Sequence, residues 1–133
     1  MQIVDTVVFL AYLDESDPRH ARSNEYVFDI GLRQDLFVPS ATLLELDLEL
    51  KSHGVGDEDR AASHSLLARL VPQDLILPLT PATLKRAADL AKIADWRGSY
   101  FDTLIAATGL EFGADSALTT DRKFAKLGIK PVF

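Results

Sequence analysis

The chain has 133 residues, of which 47% are hydrophobic and 26% are charged, and it contains no cysteine. These values are typical of one globular domain spanning residues 1–133, and the lack of cysteine excludes disulfides, thiolate zinc sites and cysteine nucleophiles. The net charge of −6 argues against broad, charge-driven nucleic-acid binding, but it is compatible with a local basic patch or a bound metal ion.

The apolar N-terminus is interrupted by Asp5, and no basic residue precedes it. It is too short for a membrane span and lacks the flanks of a signal peptide. We therefore expect a protein with no membrane association, located in a reducing cytoplasm.

Short apolar strands alternate with helices along the chain. A strand at 2–4 precedes a helix over 6–13, so Asp5 stands at the carboxyl end of that strand. Pro18 begins a helix over 19–34, and Ser40 is predicted to cap the helix that follows a strand at 36–39. The remaining predicted elements are helices over 41–52 and 58–71, a strand at 75–79, a helix from Thr80-Pro81 to 94, a helix from Tyr100 to a Gly113 cap, a strand at 116–119, a short helix to 127 and a strand at 129–132. This order predicts a three-layer α/β/α sandwich with a central parallel sheet.

The segment 41–52 carries two competing patterns. Leucine and acidic residues alternate strictly over 44–50, which is a strand pattern, but no β-branched residue follows Thr42 and the composition favours a helix. Such a helix has two polar sides, one with Asp47 and one with Glu45 and Glu49. A helix buried on one face needs only one polar side, so the position of Glu45 asks for another explanation.

Strand order brings four carboxylates to one edge of the predicted sheet, where ligands of parallel α/β sheets bind. Asp5 and Asp121 follow strands, and Glu45 lies little more than a turn into the helix that leaves the second strand. Asp102 begins a helix that leads to the opposite edge, so it starts at the same edge as the others. Three of the four also have a local explanation: a helix cap for Asp121, the helix dipole for Asp102 and plain solvation for Glu45. None of these explanations requires all four at one edge.

Four clustered carboxylates repel one another unless a cation is present. Mg²⁺ or Mn²⁺ prefers such oxygen ligands, can lower the pKa of a bound water and can polarise a phosphoryl oxygen. The small residues Ala106 and Gly109 are consistent either with clearance beside such a site or with close packing of the helix against the sheet.

These blocks resemble the PIN-domain ribonucleases, and the length and spacing are similar to the VapC-like toxins of that family. The matching stretches are residues 3–6, Leu44-Glu45, 101–107 and 119–124, and the block around Asp102 followed by Thr119-Thr120-Asp121 is the most specific. The resemblance implies a parallel α/β/α fold and Mg²⁺- or Mn²⁺-dependent endonucleolytic cleavage of single-stranded RNA.

The resemblance also implies roles for individual residues. It assigns catalysis and metal binding to Asp5, Glu45, Asp102 and Asp121, and a supporting hydroxyl to Thr119, with Thr6 as a plausible second one. Many members carry another acidic residue where this chain has Lys123, so the number of metal ions stays open. VapC-like members are typically homodimers that a small antitoxin protein neutralises.

Substrate binding is less readable from the sequence. Arg97, Arg122 and Lys123 lie near the predicted edge and are candidates for contacting RNA phosphates, although solvation is the commoner reason for such residues. Trp96, Tyr12 and Tyr100 are candidates for stacking on a base, with core packing the favoured alternative.

A non-enzymatic function is the competing hypothesis: a degenerate domain that uses the same edge to bind RNA or protein. Lys123 and the negative net charge of the chain motivate this hypothesis. A phosphoacceptor domain needs an Asp closing the third strand, where Leu79-Thr80 stands, and an aspartyl phosphatase needs Asp-x-Asp at residues 5–7; neither pattern is present.

Overall fold

The computed structural model describes all 133 residues and is built around one five-stranded sheet. The strand order is β3-β2-β1-β4-β5, and every neighbouring pair is parallel. The carboxyl ends of all the strands therefore meet at one edge, with β1 in the centre. The strands are β1 (Gln2–Val4), β2 (Leu36–Pro39), β3 (Ile76–Leu77), β4 (Ser116–Leu118) and β5 (Lys130–Val132).

Six α-helices and three 3₁₀ turns connect these strands. The helices are α1 (Thr6–Leu13), α2 (His20–Val27), α3 (Ser40–Ser52), α4 (Asp57–Leu70), α5 (Pro81–Leu90) and α6 (Tyr100–Phe112), and the turns are Ile30–Leu32, Gln73–Leu75 and Arg122–Leu127. None of the helices combines the length and apolar character needed to cross a bilayer.

The sheet separates two apolar cores. Successive residues of a strand face opposite sides, so Ile3 packs with Trp96 and Ile105 on one face of β1. Val4 packs with Phe9 on the other face. The predicted three-layer α/β/α sandwich with a parallel sheet is confirmed.

The predicted helix over 19–34 is wrong in its second half. Helix α2 ends at Val27, and a 3₁₀ turn covers Ile30–Leu32. Glycine inside a helix costs about 1 kcal/mol relative to alanine. Gly31 also lies so close to Pro72 that a Cβ there would be 3.2 Å from its Cγ, so this segment follows packing against the neighbouring loop.

Several predicted boundaries also move. Ser40 does not cap α3 but forms its first turn, and its hydroxyl donates to the Leu77 carbonyl oxygen at 2.8 Å. Strand β3 is shorter than predicted because a 3₁₀ turn precedes it and Pro78, which lacks an N–H, follows it. Helix α5 stops at Leu90, since residues 91–97 turn to bury Trp96, whose ring would collide with any Cβ at Gly98.

The segment 41–52 is helical, as its composition predicts. Leu46 and Leu50 are buried, and the polar side that carries Asp47 faces α4. There Arg60 and His64 contact the Asp47 carboxylate at 3.0 and 2.8 Å. One polar side of α3 is thus explained by α4, and the other carries Glu45 toward the carboxyl edge of the sheet.

Candidate active site

Asp5 occupies the centre of the carboxyl edge, directly after β1. It is the N-cap of α1, and its side chain is 7% exposed. Its Oδ1 accepts a hydrogen bond from the Thr6 backbone N–H at 2.8 Å, and its Oδ2 accepts one from the Thr119 hydroxyl at 2.6 Å. Burial raises the pKa of this carboxyl, and the negative charges of Asp102 and Asp121 act in the same direction.

Thr119 links two of the acidic residues. Its buried hydroxyl donates to Asp5 and accepts from the backbone N–H of Asp121 at 3.0 Å. The hydroxyl therefore fixes the Asp5 carboxylate and the turn that begins at Asp121 relative to each other.

Glu45 reaches the same edge from α3. The Thr6 hydroxyl donates to Glu45 Oε2 at 2.5 Å, while the Thr42 hydroxyl donates to the Val4 carbonyl oxygen and ties α3 to the end of β1. Burial and, to a smaller extent, the negative charges of Asp5 and Asp102 raise the pKa of Glu45 to about 7, although the hydrogen bond from Thr6 lowers it. The second polar side of α3 therefore faces other acidic residues across a partly desolvated space.

Asp102 lies in the first turn of α6 and has a local role as well. Its Oδ2 accepts from the Ser99 backbone N–H at 3.0 Å, and its own N–H donates to the Ser99 hydroxyl at 3.1 Å. This is a capping box, which pairs two N–H groups that a helix start leaves free. The Ser-x-x-Asp spacing in the sequence contains this signal, which the prediction from the helix dipole alone leaves out.

Asp121 caps the last 3₁₀ turn, and Lys123 lies beside it. Asp121 Oδ1 accepts from the Lys123 N–H at 2.9 Å. The ammonium Nζ of Lys123 is 3.4 Å from Asp121 Oδ2 and 4.0 Å from Asp102 Oδ2. Both carboxylates are therefore within reach of one ammonium group.

The four carboxylates border one patch, but their oxygens do not converge. No group of three His, Asp or Glu side chains lies close enough together to hold a metal ion in this arrangement. The donor set nevertheless fits a hard divalent cation, because it consists of carboxylate oxygens. Burial, with a smaller contribution from the neighbouring negative charges, raises the pKa of Asp5 and Glu45. Binding an ion to three of them requires their side chains to move together.

The other predicted substrate-binding residues are less engaged. Arg97 and Arg122 are exposed. Arg97 has a left-handed backbone (φ 50°) and presents its carbonyl oxygen to the Lys123 ammonium, whereas the Arg122 guanidinium donates to the Pro131 carbonyl oxygen at 3.4 Å. Neither guanidinium is paired with an acidic side chain.

The three aromatic candidates for stacking on a base differ in their exposure to solvent. Trp96 is buried, and its indole N–H donates to the Thr103 hydroxyl at 2.8 Å. Tyr12 is partly buried against His20, but Tyr100 is 69% exposed at the start of α6. Only Tyr100 remains available for stacking. Leu44 and Leu48 on α3 are also exposed, which the leucine pattern of the sequence does not indicate.

Gly109 and Ala106 do not give clearance beside the carboxylates. A Cβ at Gly109 would lie 2.7 Å from Ile3 Cδ1 and 3.4 Å from the Ala114 Cβ, and Ala106 is fully buried in the same core. The small residues let α6 pack closely on β1, so of the two alternatives the packing one is correct.

Comparison with known proteins adds a family and a fold. The family model described as "PIN domain" matches residues 3–130. No curated protein matches the chain significantly. Among solved structures, a sarcin-ricin-loop-cleaving toxin of Mycobacterium tuberculosis, VapC20, is 20% identical, with a TM-score of 0.77 over 99% of this chain and 98% of that chain.

Two further solved structures are similar to a comparable degree. FitAcB of Neisseria gonorrhoeae is 19% identical, with a TM-score of 0.74 over 100% of this chain and 97% of that one. VapBC2 of Rickettsia felis, bound to a DNA fragment from its promoter, is 13% identical, with a TM-score of 0.71 over 98% of this chain and 96% of that one. At these identities the structures establish a shared fold.

Proposed function

The chain belongs to the PIN-domain family, and from this membership and the geometry of its acidic edge we propose that it is a metal-dependent endoribonuclease that cleaves single-stranded RNA. The family resemblance stated from the sequence is thereby confirmed, whereas metal dependence and the RNA substrate belong to the proposal.

One observation carries the proposal. Asp5 is a nearly buried carboxylate at the end of the central strand, and both of its oxygens accept hydrogen bonds that hold it in place. Burying a carboxylate is costly without compensation. Three further acidic residues, from three other segments, add negative charge around Asp5 and so do not compensate for its burial. A divalent cation supplies the missing compensation.

Asp5, Glu45, Asp102 and Asp121 are the residues that would hold Mg²⁺ or Mn²⁺. When bound, such an ion supplies a water of lowered pKa and charge stabilisation for a phosphoryl group. Thr119 holds the Asp5 carboxylate in a fixed direction, and Thr6 does the same for Glu45. Removing a hydroxyl that orients a metal ligand commonly lowers metal affinity 10–100-fold.

We further propose that the protein is the toxin of a toxin–antitoxin pair, acting on RNA in the cytoplasm. The similarity to VapC20, described as a toxin, and to FitAcB and VapBC2 supports this proposal. A small antitoxin protein is then its partner, and a homodimer is its expected assembly. The exposed Leu44 and Leu48 on α3 are consistent with a covered surface, since large exposed apolar patches often mark interaction sites.

A second candidate is a degenerate domain that binds RNA or protein without cleaving it, favoured by Lys123, whose ammonium contacts two of the four carboxylates. Incubating the purified chain with a labelled single-stranded RNA, its DNA analogue and an RNA duplex separates the two candidates. The nuclease proposal predicts internal cleavage of the single-stranded RNA with Mn²⁺ and none with EDTA. Binding without cleavage at any Mn²⁺ concentration supports the degenerate domain.

A further inference from the structure

Lys123 is the only basic residue that forms an ion pair with any of the four carboxylates, and it pairs with two of them. Its Nζ lies 3.4 Å from Asp121 Oδ2 and 4.0 Å from Asp102 Oδ2, and it donates a third contact, at 3.3 Å, to the Arg97 carbonyl oxygen. The side chain is 37% exposed, so the ammonium lies at the mouth of the patch rather than free in solvent. Three oxygens from three segments thus surround one ammonium group.

Helix stability does not explain a lysine at this position. Lys123 is in the first turn of the 3₁₀ segment Arg122–Leu127, where the backbone presents free N–H groups and negative side chains are favoured over positive ones. Lys126, near the end of the same segment, is where a basic residue is expected. Its Nζ also contacts a backbone carbonyl oxygen, that of Asp95 at 2.7 Å, but no carboxylate. Lys123 therefore differs from Lys126 in that its ammonium faces two carboxylates.

The ammonium divides the acidic patch into two unequal halves. Asp102 and Asp121 share Lys123, whereas neither Asp5 nor Glu45 forms an ion pair with any cation of the chain. These two residues instead receive hydrogen bonds from Thr119 and Thr6. Half of the patch has its own positive charge, and the other half has only neutral donors.

We propose that Lys123 is a tethered cation that takes the place of a second divalent ion, so that the site binds a single Mg²⁺ or Mn²⁺ per chain. This inference rests on the proposed function, because it needs a metal centre at these carboxylates. The ammonium neutralises the Asp102 and Asp121 side and leaves the Asp5 and Glu45 side as the place where divalent charge is needed. The alternative is that Lys123 is an ordinary surface lysine, whose exposed ion pairs contribute little to stability.

Manganese titration of the whole chain by calorimetry tests this inference without using activity. We expect one ion per chain for the native sequence. Lys123→Glu, which replaces the ammonium with a carboxylate, is expected to take up two. Lys123→Met, which keeps the length and removes the charge, is expected to bind the first ion roughly tenfold more tightly, in the range typical of changes next to metal ligands. Lys126→Glu and Lys126→Met make the same charge changes on the same segment and are expected to leave uptake unchanged.

A thermal melt with and without Mn²⁺ gives a second readout. Removing the ammonium leaves Asp102 and Asp121 repelling each other, so Lys123→Met is expected to melt lower than the native chain without metal and to gain more from added Mn²⁺. Lys126→Met is expected to match the native chain in both conditions. This comparison also shows whether each variant is folded.

The results separate failure of this inference from failure of the proposed function. Two ions on the native chain, or Lys123 variants that match the native chain in both stoichiometry and affinity, overturn the tethered-cation role while leaving a metal centre in place. No specific Mn²⁺ uptake by the native chain overturns the proposed nuclease, and the inference with it. Uptake of one ion by the native chain and by Lys126→Glu, and of two ions by Lys123→Glu, supports both the inference and the proposed function.

Discussion

The hydroxyl of Thr119 lies 2.6 Å from Oδ2 of Asp5, a residue 114 positions earlier in the chain. The contact joins the carboxyl ends of β1 and β4, which are neighbours in the sheet. Parallel pairing of these strands brings the two residues together, and the same hydroxyl then receives the N–H of Asp121. One side chain thus connects the sheet to two of the four acidic residues.

Replacing Thr119 by valine tests that connection. Valine has nearly the same shape but no hydroxyl, so Asp5 Oδ2 and the Asp121 N–H both lose a buried partner. We expect a loss of about 1–3 kcal/mol in the free energy of unfolding and a 10–100-fold loss of Mn²⁺ affinity, measured by denaturant titration and calorimetry.

Thr108→Val is the matched control for that experiment. Thr108 is also buried, but its hydroxyl donates only to the Leu104 carbonyl oxygen within α6. Its loss is expected to leave Mn²⁺ affinity unchanged. Equal effects of the two substitutions on Mn²⁺ affinity would mean that Thr119 has no special relation to the acidic patch.

The raised pKa of Glu45 predicts a pH dependence of stability. The pKa of Glu45 is about 7 in the folded chain, against 4.5 for an unperturbed glutamate, so the folded chain holds more protons than the unfolded chain between these pH values. Stability therefore falls as the pH rises from about 4.5 to 7, since ionising Glu45 is costlier when it is folded. We expect the drop in the free energy of unfolding over this pH range to be about 1 kcal/mol smaller in Glu45→Gln than in the native chain. This figure is reduced for solvent screening because the side chain is only half buried. Urea titrations of both chains at pH 5 and pH 8 without metal measure it, and parallel curves for the two chains would contradict the raised pKa.

Asp102 has two roles that different substitutions separate. Asparagine keeps an oxygen to accept the Ser99 N–H, whereas alanine removes the cap and the charge together. We expect Asp102→Asn to retain the melting temperature but lose Mn²⁺-dependent cleavage, and Asp102→Ala to lose cleavage and about 1 kcal/mol of stability as well. Ser99→Ala, which weakens the cap alone, is expected to lower stability and keep cleavage. Loss of cleavage in Ser99→Ala equal to that in Asp102→Asn would show that the cap, not the charge, matters.

Close packing of α6 on β1 predicts a compensating pair of substitutions. An alanine Cβ at Gly109 would lie 2.7 Å from Ile3 Cδ1, so Gly109→Ala is expected to cost about 1–3 kcal/mol by overpacking. Ile3→Val removes that methyl group, so the double variant is expected to be more stable than the sum of the two single effects predicts. Strict additivity in denaturant titrations would contradict the contact.

Most of the fold was readable from the sequence because its signals are local. Proline, the Gly113 cap and short apolar runs placed the strands and most helices within a few residues, and alternation of strands and helices specified a parallel sheet. The errors lie where tertiary packing overrides local preference. The turn at Gly31 against Pro72 ends α2 early, and the burial of Trp96 ends α5 early.

The acidic edge was predictable for a different reason. In a parallel sheet, position along the chain determines the edge, so Asp5, Glu45, Asp102 and Asp121 were placed together without any knowledge of distances. The sequence did not reveal that their oxygens stay too far apart for one ion, because side-chain directions depend on contacts such as Ser99 with Asp102 and Thr6 with Glu45. It also did not reveal that the Lys123 ammonium lies between two of them.

Cleavage by Asp5→Asn is the most direct test of the proposed function. Asparagine can cap α1 and accept the Thr6 N–H as aspartate does, and its NH2 group can donate to the Thr119 hydroxyl in place of the hydrogen bond that Asp5 accepts. It also removes a buried carboxyl group whose pKa is already raised, so the variant is expected to fold with undiminished stability in the absence of metal. The measurement is Mn²⁺-dependent cleavage of a single-stranded RNA by the native chain and by Asp5→Asn at matched concentration. We expect cleavage by the native chain and a loss of at least about 100-fold in the variant, comparable to the loss on removing one preorganised electrostatic group from an active site. Full cleavage by a folded Asp5→Asn chain would contradict it.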